Sequence, residues 1–400
     1  MSTAWPERPA LSIALVACEE SGDQLGAGLM KALAARAPVR FSGVGGRHMA
    51  ACGLQSLFPI DRLAIIGVTA VIARLPLLLR RIAETAEAVV AARPDALVII
   101  DSPDFTHRVA RRVRARAPEI PIIDYVSPSV WAWRPGRAKA MRGYVDHVLA
   151  LLPFEPRVYE TLGGPACSYV GHPAIEEAER LRPGKTEHAR RERAPPVVLV
   201  LPGSRAGEVR RHLDVFGACL ALLVERCGPL EAVLPTVPDV LAQIEAGTAG
   251  WPARPRIVVA PEDKWAAFRS ARAALAVSGT VTLELAIAGI PAVVAYKVSL
   301  VEEAIARLCL RTQTIVLANL VLGEKIMPEL LQRAAVPERL ASALAPLLAE
   351  SAERARQLAA FARLDDVMGI GRLSPSARAA DIVLAEIAKR GAIATVAGAA

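Results

Sequence analysis

Two stretches of the sequence place glycine, hydroxyl and charged side chains where an anion could be held. In Leu201–His212 (LPGSRAGEVRRH), the apolar run Val197–Leu201 leads into Gly203-Ser204-Arg205 and then into helical spacing. Glycine lets a backbone approach a ligand closely, and a helix N-terminus presents free N–H groups and partial positive charge. Arg205 has the planar donor set that pairs with a diphosphate. Taken alone, the segment reads more readily as an ordinary β–α turn with a surface arginine. A second stretch repeats the pattern. Ala273–Val277 runs into Ser278-Gly279-Thr280, and Val281–Ala288 has helical spacing before Gly289-Ile290-Pro291. Two such turns in one half of the chain can face one ligand across the carboxyl edge of a parallel sheet. Glu284 lies one turn past Thr280 on the same helix face and suits the two hydroxyls of a ribose.

A second set of polar residues follows apolar runs in the first half. It comprises Glu19, Ser21 and Asp23, then Asp101, Ser102 and Asp104, then Ser127, Ser129 and Trp131. Strand ends are where α/β folds place their chemistry. Helix capping competes with that reading and is strong for Ser21 and Asp23. It is weaker for Asp101, which directly follows Leu97–Ile100. A carboxylate there is either a general base or a buried hydrogen-bonding fixture.

The elements that position these residues alternate. Strands are expected at Leu11–Ala17, Val39–Gly43, Ala96–Ile100, Ile122–Val126 and His147–Leu151. A helix is expected from Gly22-Asp23 through Ala37 and a basic one over Phe105–Ala117. A linker is expected near Ala174–Pro196, which holds four prolines' worth of breaks with Pro173 and the charged run KTEHARRERAP. Strands resume near Val197–Leu201, Glu231–Leu234, Ile257–Ala260, Ala273–Val277 and Pro291–Ala295. Short apolar β-runs separated by helices imply parallel sheets with helices on both faces. The expected fold class is α/β, with two Rossmann-like domains and a cleft between them. The alanine-rich tail from about Pro337 to Arg390 is expected to be helical and to return to the first domain.

The chain has 400 residues, 53% hydrophobic and 22% charged, with 48 basic and 40 acidic residues and a net charge of +8. That excess favours acidic partners. Aromatics are only 4% and do not interleave with basic residues, which argues against nucleic-acid binding. No GxxxxGK[ST] occurs, so a Walker NTPase is excluded at the motif level. Six scattered cysteines without a CxxC pair point to reduced thiols in a cytoplasmic chain, with neither a zinc site nor a disulfide framework. The N-terminus lacks a signal-peptide pattern, and no uncharged apolar stretch reaches the ~18–20 residues that span a bilayer.

The chain resembles the lipid-A-disaccharide synthase family, bacterial glycosyltransferases of the GT-B fold. The matching pieces are CEESGDQLGAGL (18–29), DSPDF (101–105), YVSPSVWAWR (125–134), LPFE (152–155), GHP (171–173), LPGSR with Glu208 (201–208), SGTVTLELAIAGIPAVVAYK (278–297) and LANLVLGEKIMPELLQ (317–332). They occur in the family's order and cover most of the chain. YVSPSVWAWR and LPGSRxxE together are highly specific. The resemblance implies transfer of 2,3-diacylglucosamine from UDP to the 6-hydroxyl of 2,3-diacylglucosamine 1-phosphate, with inversion. It implies no metal and no other cofactor, because N–H groups and basic side chains stabilise the leaving diphosphate. Another GT-B enzyme acting on UDP-sugars, such as an epimerase, is the alternative.

The resemblance also orders the candidate residues. Residues 1–174 are expected to hold the acceptor, 175–365 the UDP-sugar, and 366–400 to form the returning tail. Gly203, Ser204, Arg205, Glu208, Ser278, Gly279, Thr280, Glu284 and Asn319 are expected around UDP. Ser21, Ser127, Ser129 and Trp131 are expected at the acceptor side of the cleft. Asp101 is the expected general base, with Asp104 and Glu19 as competitors. In Val68–Ile82, the residues Val68, Val71, Ile72, Leu75, Leu78 and Leu79 fall near helical spacing beside Arg74, Arg80 and Arg81. The pattern suits a core helix kinked at Pro76 or a membrane-surface helix equally. The resemblance favours the membrane, since both substrates carry acyl chains. The expected site of action is then the cytoplasmic face of the inner membrane, with a homodimer among the expected partners.

Four departures from the family pattern stand out. Cys18 replaces a glycine of AGEASGD, suggesting a slightly different backbone at that turn. Ala70 replaces a glutamate of MGxxEVL, Thr106 the asparagine of DFN, and Ala318 the proline of LPN. Ala70 argues against a universal catalytic role for that glutamate.

Overall fold

Runs such as Ala96–Ile100 and Val197–Leu201 are apolar at every position, so they are satisfied only as strands covered on both faces. A computed structural model describes residues 10–60 and 68–397, with side chains described for 10–60 and 75–390. Val68, Val71, Ile72 and Ala70 therefore lie outside the described side chains. Among the described residues the strands form two all-parallel sheets.

The strands of the first sheet are β1 (Leu11–Ala17), β2 (Val39–Val44), β3 (Gln55–Ser56), β4 (Ala96–Ile100), β5 (Ile122–Tyr125), β6 (His147–Ala150) and β7 (Ala166–Tyr169). Their spatial order is β3-β2-β1-β4-β5-β6-β7. The second sheet contains β8 (Val197–Leu201), β9 (Glu231–Pro235), β10 (Arg256–Val258), β11 (Ala273–Val277), β12 (Ala292–Tyr296) and β13 (Glu329–Leu331), in the order β10-β9-β8-β11-β12-β13. Strand order reverses between β1 and β4 and again between β8 and β11. These are the switch points where open α/β sheets bind ligands.

The apolar residues of the first sheet divide by alternation. Val16, Leu97 and Ile99 enter the core on one face, and Ile13, Leu15 and Val98 enter it on the other. In the second sheet Val198, Val200 and Leu275 pack against Leu213 and Phe216 of the helix Ala206–Cys227.

Three strands escape the sequence pattern. The short edge strands β3, β7 and β13 are not apolar runs, because an edge strand need not be buried on both faces.

The expected linker is ordered structure. It contains the helices Ala178–Leu181 and Lys185–Arg191. The buried Arg191 donates to the carbonyl oxygens of Phe268, Arg269, Ala288 and Gly289. Those carbonyls end the segments before β11 and β12, so a charged run that looks solvated is a backbone-satisfying bracket.

The chain forms two compact units, 1–173 with 372–400, and 174–371. Of the alanine-rich segment 337–390 only the part from Arg372 onward joins the first unit, six residues after the expected start of the returning tail at 366. The helix Pro337–Leu348 packs on Ala206–Cys227 within the second unit. Asp365 is paired there with Arg182. Only the helix Pro375–Ala397 reaches the first unit, where Ala379, Ala380 and Val383 complete the core around Met30 and Leu33.

Candidate active site

At the first switch point Ala17 of β1 pairs with Ile100 of β4. The residues that follow each strand, Cys18–Ser21 and Asp101–Ser102, are therefore neighbours. Ser102 Oγ donates to Glu19 Oε1 at 3.0 Å and ties the two ends together. The backbone is strained here. Asp101 and Ser102 have φ of 53° and 46°, and Val126, at the end of β5, has φ of 87°. For a β-branched valine that is an outlier, and strain of this kind collects at functional sites. It is held by Asp101 N–H donating to Tyr125 O at 3.0 Å and Val126 N–H to Leu149 O at 3.1 Å.

The Asp101 carboxylate accepts from Ser102 N–H at 2.7 Å. Burial raises its pKa above the ordinary carboxylate range. The charges of Glu19 and Asp124 push the same way, and the Ser102 N–H and the Ser21 hydroxyl pull it back. Asp124 is fully buried on β5, with His107 Nε2 at 3.2 Å. A partly buried carboxylate of raised basicity at a switch point suits proton abstraction.

Asp104 is different. It sits exposed in the first turn of the helix Pro103–Arg116, 3.6 Å from Arg137. It does not cap that helix; Ser102 occupies the N-cap position. The capping reading of Asp23 needs a similar correction. The helix Glu20–Ala34 has Glu19 at its N-cap, without a side-chain cap bond. Asp23 instead accepts from Gly46, His48 and Met49 N–H at 2.7, 2.8 and 3.1 Å, capping the short helix Arg47–Ala51. Glu20, Asp23 and His48 bring potential metal ligands within 4.8 Å of one another. Glu20 is engaged by Arg47 and His48, so cap and ion pair account for the group. Cys18 is buried without a positive φ, so the position needs no glycine. Burial also pushes its thiol far above the usual range.

Ser127 does not present its hydroxyl for a substrate. It is buried and donates to Tyr159 Oη at 3.1 Å and Pro128 O at 3.2 Å. Trp131 Nε1 donates to Glu155 Oε1 at 3.1 Å, and its ring meets Phe154 edge-on. Glu155 also accepts from Leu152 N–H at 2.9 Å. Burial pushes the Glu155 carboxyl up to about 7, against the Leu152, Ser127 and Trp131 hydrogen bonds that lower it. Ser127, Trp131 and Glu155 therefore shape the 127–134 loop from beneath, while Ser129 is exposed on it. The LPFE motif contains Glu155, but spacing alone could not assign it to the loop.

At the second switch point Leu201 pairs with Ala276, which sets Gly203–Arg205 beside Ser278–Thr280. Gly203 has φ of 111°, and a Cβ there would lie 2.7 Å from Glu208 Cβ. Only glycine fits. Arg205 immediately precedes the 22-residue helix Ala206–Cys227. Its side chain is largely exposed, 3.3 Å from Glu208. Ser204, Gly279 and Thr280 are exposed, while Ser278 Oγ donates to Ile315 O at 2.6 Å. Glu284 pairs with Lys264 at 2.8 Å, a cation the sequence reading passed over. The turn thus joins a long helix N-terminus, one exposed guanidinium paired with Glu208 and a carboxylate–ammonium pair, a set suited to a nucleoside diphosphate.

Asn319 does not belong to that set. It is 1% exposed, and its amide is committed. Nδ2 donates to Met327 O and Glu329 Oε1 at 2.9 and 3.0 Å, while Oδ1 accepts from Ile326 and Met327 N–H at 3.0 and 2.9 Å. It secures the approach to β13. His212, last residue of LPGSRAGEVRRH, has no spacing signal that marks it, yet it is a fixture of this region. Its Nε2 accepts from Lys297 N–H at 2.8 Å, which leaves Nδ1 to donate to Glu208 O at 2.8 Å. Burial lowers its pKa, so a neutral imidazole pins the end of β12 to the helix Ala206–Cys227.

The family model described as Lipid-A-disaccharide synthetase matches residues 13–383. The lipid-A-disaccharide synthase of Nitrobacter hamburgensis is 60% identical over 93% of this chain and 94% of its own. That of Bradyrhizobium diazoefficiens is 58% identical over 95% and 98%. Among solved structures, the calicheamicin glycosyltransferase superposes with a TM-score of 0.59 at 18% identity, covering 95% of this chain and 99% of that one. Acinetobacter baumannii MurG gives 0.55 at 16%, covering 94% and 99%. These likenesses show a shared GT-B fold.

Proposed function

The chain belongs to the lipid-A-disaccharide synthase family, and from that premise we propose how its own residues carry the reaction. The activity is transfer of 2,3-diacylglucosamine from UDP to the 6-hydroxyl of 2,3-diacylglucosamine 1-phosphate. A β-1,6-linked disaccharide 1-phosphate and UDP are released. The observation that carries this is identity near 60% across almost the whole chain. The epimerase alternative is not favoured, since the relatives match both motif-bearing units.

In the reaction, the acceptor oxygen forms a bond to the anomeric carbon as the bond from that carbon to the UDP oxygen breaks. The acceptor proton passes to Asp101, whose raised basicity supports that role. Glu19 holds Ser102 and adds negative charge beside Asp101. The leaving diphosphate is stabilised by N–H groups of the Gly203–Arg205 turn, the start of the following helix and the Arg205 guanidinium. Ser278, Gly279 and Thr280 shape the opposite wall of that turn. Glu284, set by Lys264, accepts from the ribose. Glu208 holds Arg205 rather than touching UDP directly. Asn319 acts by positioning alone.

Among the described residues no helix is long and apolar enough to cross a membrane. Peripheral contact with the cytoplasmic face of the inner membrane is the proposed route to both acylated substrates. Leu75 and Leu79 on the helix Val68–Ala92 support it, being exposed beside Arg80.

The test is mass spectrometry of products from purified protein given UDP-2,3-diacylglucosamine and 2,3-diacylglucosamine 1-phosphate. The disaccharide 1-phosphate and UDP should appear together. A UDP-sugar changed only in configuration would overturn the transferase reading.

A further inference from the structure

The helix Leu300–Cys309 has its apolar side turned away from the protein. Val301, Ala304, Ile305 and Leu308 follow i, i+3, i+4, i+7 and form one stripe. In an ordinary surface helix that stripe would be buried. Here Val301, Ile305 and Leu308 are 70%, 55% and 87% exposed, and no residue of the helix is buried. The residues on the inner side are Glu303 and Ala306. Glu303 accepts from Gln332 Nε2 at 2.7 Å and pairs with Arg307 at 2.5 Å. The helix is held by its ends and its acids instead of by its apolar face. Ser299 and Glu302 form a reciprocal capping box, and Glu302 pairs with Arg211 at 3.4 Å.

We propose that this helix is a lipid-contacting element of the nucleotide-binding unit, its Val301–Leu308 stripe entering the interface of an anionic bilayer. This rests on the reading that the substrates are acylated. Glu302 is neutralised by Arg211 and Glu303 by Arg307, so the acids of the helix carry no net charge toward the stripe, and the exposed Arg311 directly after the helix adds a cation beside it. That charge arrangement complements anionic headgroups. The area argues against a second copy of the chain as occupant. A ten-residue helix is about 15 Å long, whereas a stable interface needs roughly 800 Å² from each partner. A bilayer imposes no such minimum, because it takes up single apolar side chains. The location is consistent. The helix follows β12, whose Ala295 pairs with Val277 immediately before Ser278-Gly279-Thr280. Lipid contact would thus be made beside the turns proposed to hold a donor that itself carries two acyl chains.

The experiment replaces Val301, Ile305 and Leu308 together with serine and measures co-sedimentation with phosphatidylethanolamine–phosphatidylglycerol vesicles. The partition constant should fall by about ten-fold or more. UDP affinity, melting temperature and turnover on detergent-dispersed substrates should be unchanged. Leu308→Trp supplies a second reading: vesicles with brominated acyl chains should quench it beyond the quenching seen for the unaltered protein. Unchanged partition, or no added quenching, overturns the proposal. So does a drop from dimer to monomer mass in the serine variant with vesicle partition retained, which would make the stripe a contact between copies. Failure of the transferase reading would show separately, as absence of disaccharide from the unaltered protein while vesicle partition is still measured.

Discussion

Asp101 lies between two other acids, Glu19 at the end of β1 and Asp124 on β5, and both raise its basicity on top of burial. Asp101→Asn keeps the size and removes the base, so turnover should fall by about 10²–10⁴ with UDP binding and melting temperature nearly intact. The sign of the pH effect follows. A raised pKa means that the base is lost by protonation at a higher pH than for an ordinary carboxylate. The acid limb of kcat/KM should therefore lie above the usual carboxylate range. Glu19→Gln removes one neighbouring charge and should move that limb to lower pH; an unmoved limb would detach Glu19 from the base. In the turn proposed to hold UDP, Arg205 is the exposed cation. Arg205→Ala should weaken UDP binding by roughly 1.5–3 kcal/mol, measurable by calorimetry, and unchanged affinity would remove it from the phosphate site.

The helix Val68–Ala92 has side chains described from Leu75 onward. Over that described length its apolar residues divide by exposure. Ile82, Ala86 and Val89 are core residues, and Leu78 packs against that core. Leu75 and Leu79 are exposed. Leu78 therefore leaves the expected membrane set, because it lies on the side of the helix turned to the sheet. Serine at Leu75 and Leu79 should weaken vesicle binding while the melting temperature holds. Serine at Leu78 should instead lower stability, by about 1–3 kcal/mol for a partly buried leucine.

The 127–134 loop offers a second test at this scale. Glu155 beneath it is pushed up to about 7 from an ordinary 4.5, so the folded state holds a proton that the unfolded chain has released. Stability should then fall as pH rises from about 4.5 to about 7, by on the order of 3 kcal/mol. Glu155→Gln cannot ionise and should lack that decline, whatever its offset. Parallel denaturation profiles for the two proteins would dismiss Glu155 as the cause.

Across the whole molecule, the first unit is completed by a segment distant in sequence. Pro375–Ala397 packs on Glu20–Ala34, with Arg36–Asp381 at 2.6 Å, His147–Glu386 at 3.0 Å and Asp146–Arg390 at 2.8 Å around the seam. Val383 is fully buried there. Val383→Asp would bury an unpaired charge and should destabilise the first unit by more than about 3 kcal/mol. The turns proposed to hold UDP, at 203–205 and 278–280, lie in the other unit, so UDP affinity in the cold should survive. Loss of UDP binding with full stability would contradict that division.

What the sequence determined by itself is what short-range patterning controls. Uninterrupted apolar runs dictate the central strands, and glycine and hydroxyl residues after Leu201 and Val277 mark the turns. Distinctive motifs point to the family across nearly the whole chain. Tertiary structure decided what depends on partners remote in sequence. It made Asn319 and Ser127 internal fixtures, because their polar groups found buried partners. It turned the charged 185–191 run into a bracket for four backbone carbonyls, and it gave Asp23 a cap on a helix other than its own. The edge strands β3, β7 and β13 left no apolar run to read. The outward stripe of Leu300–Cys309 has the spacing of any amphipathic helix; only the packing shows which way it faces.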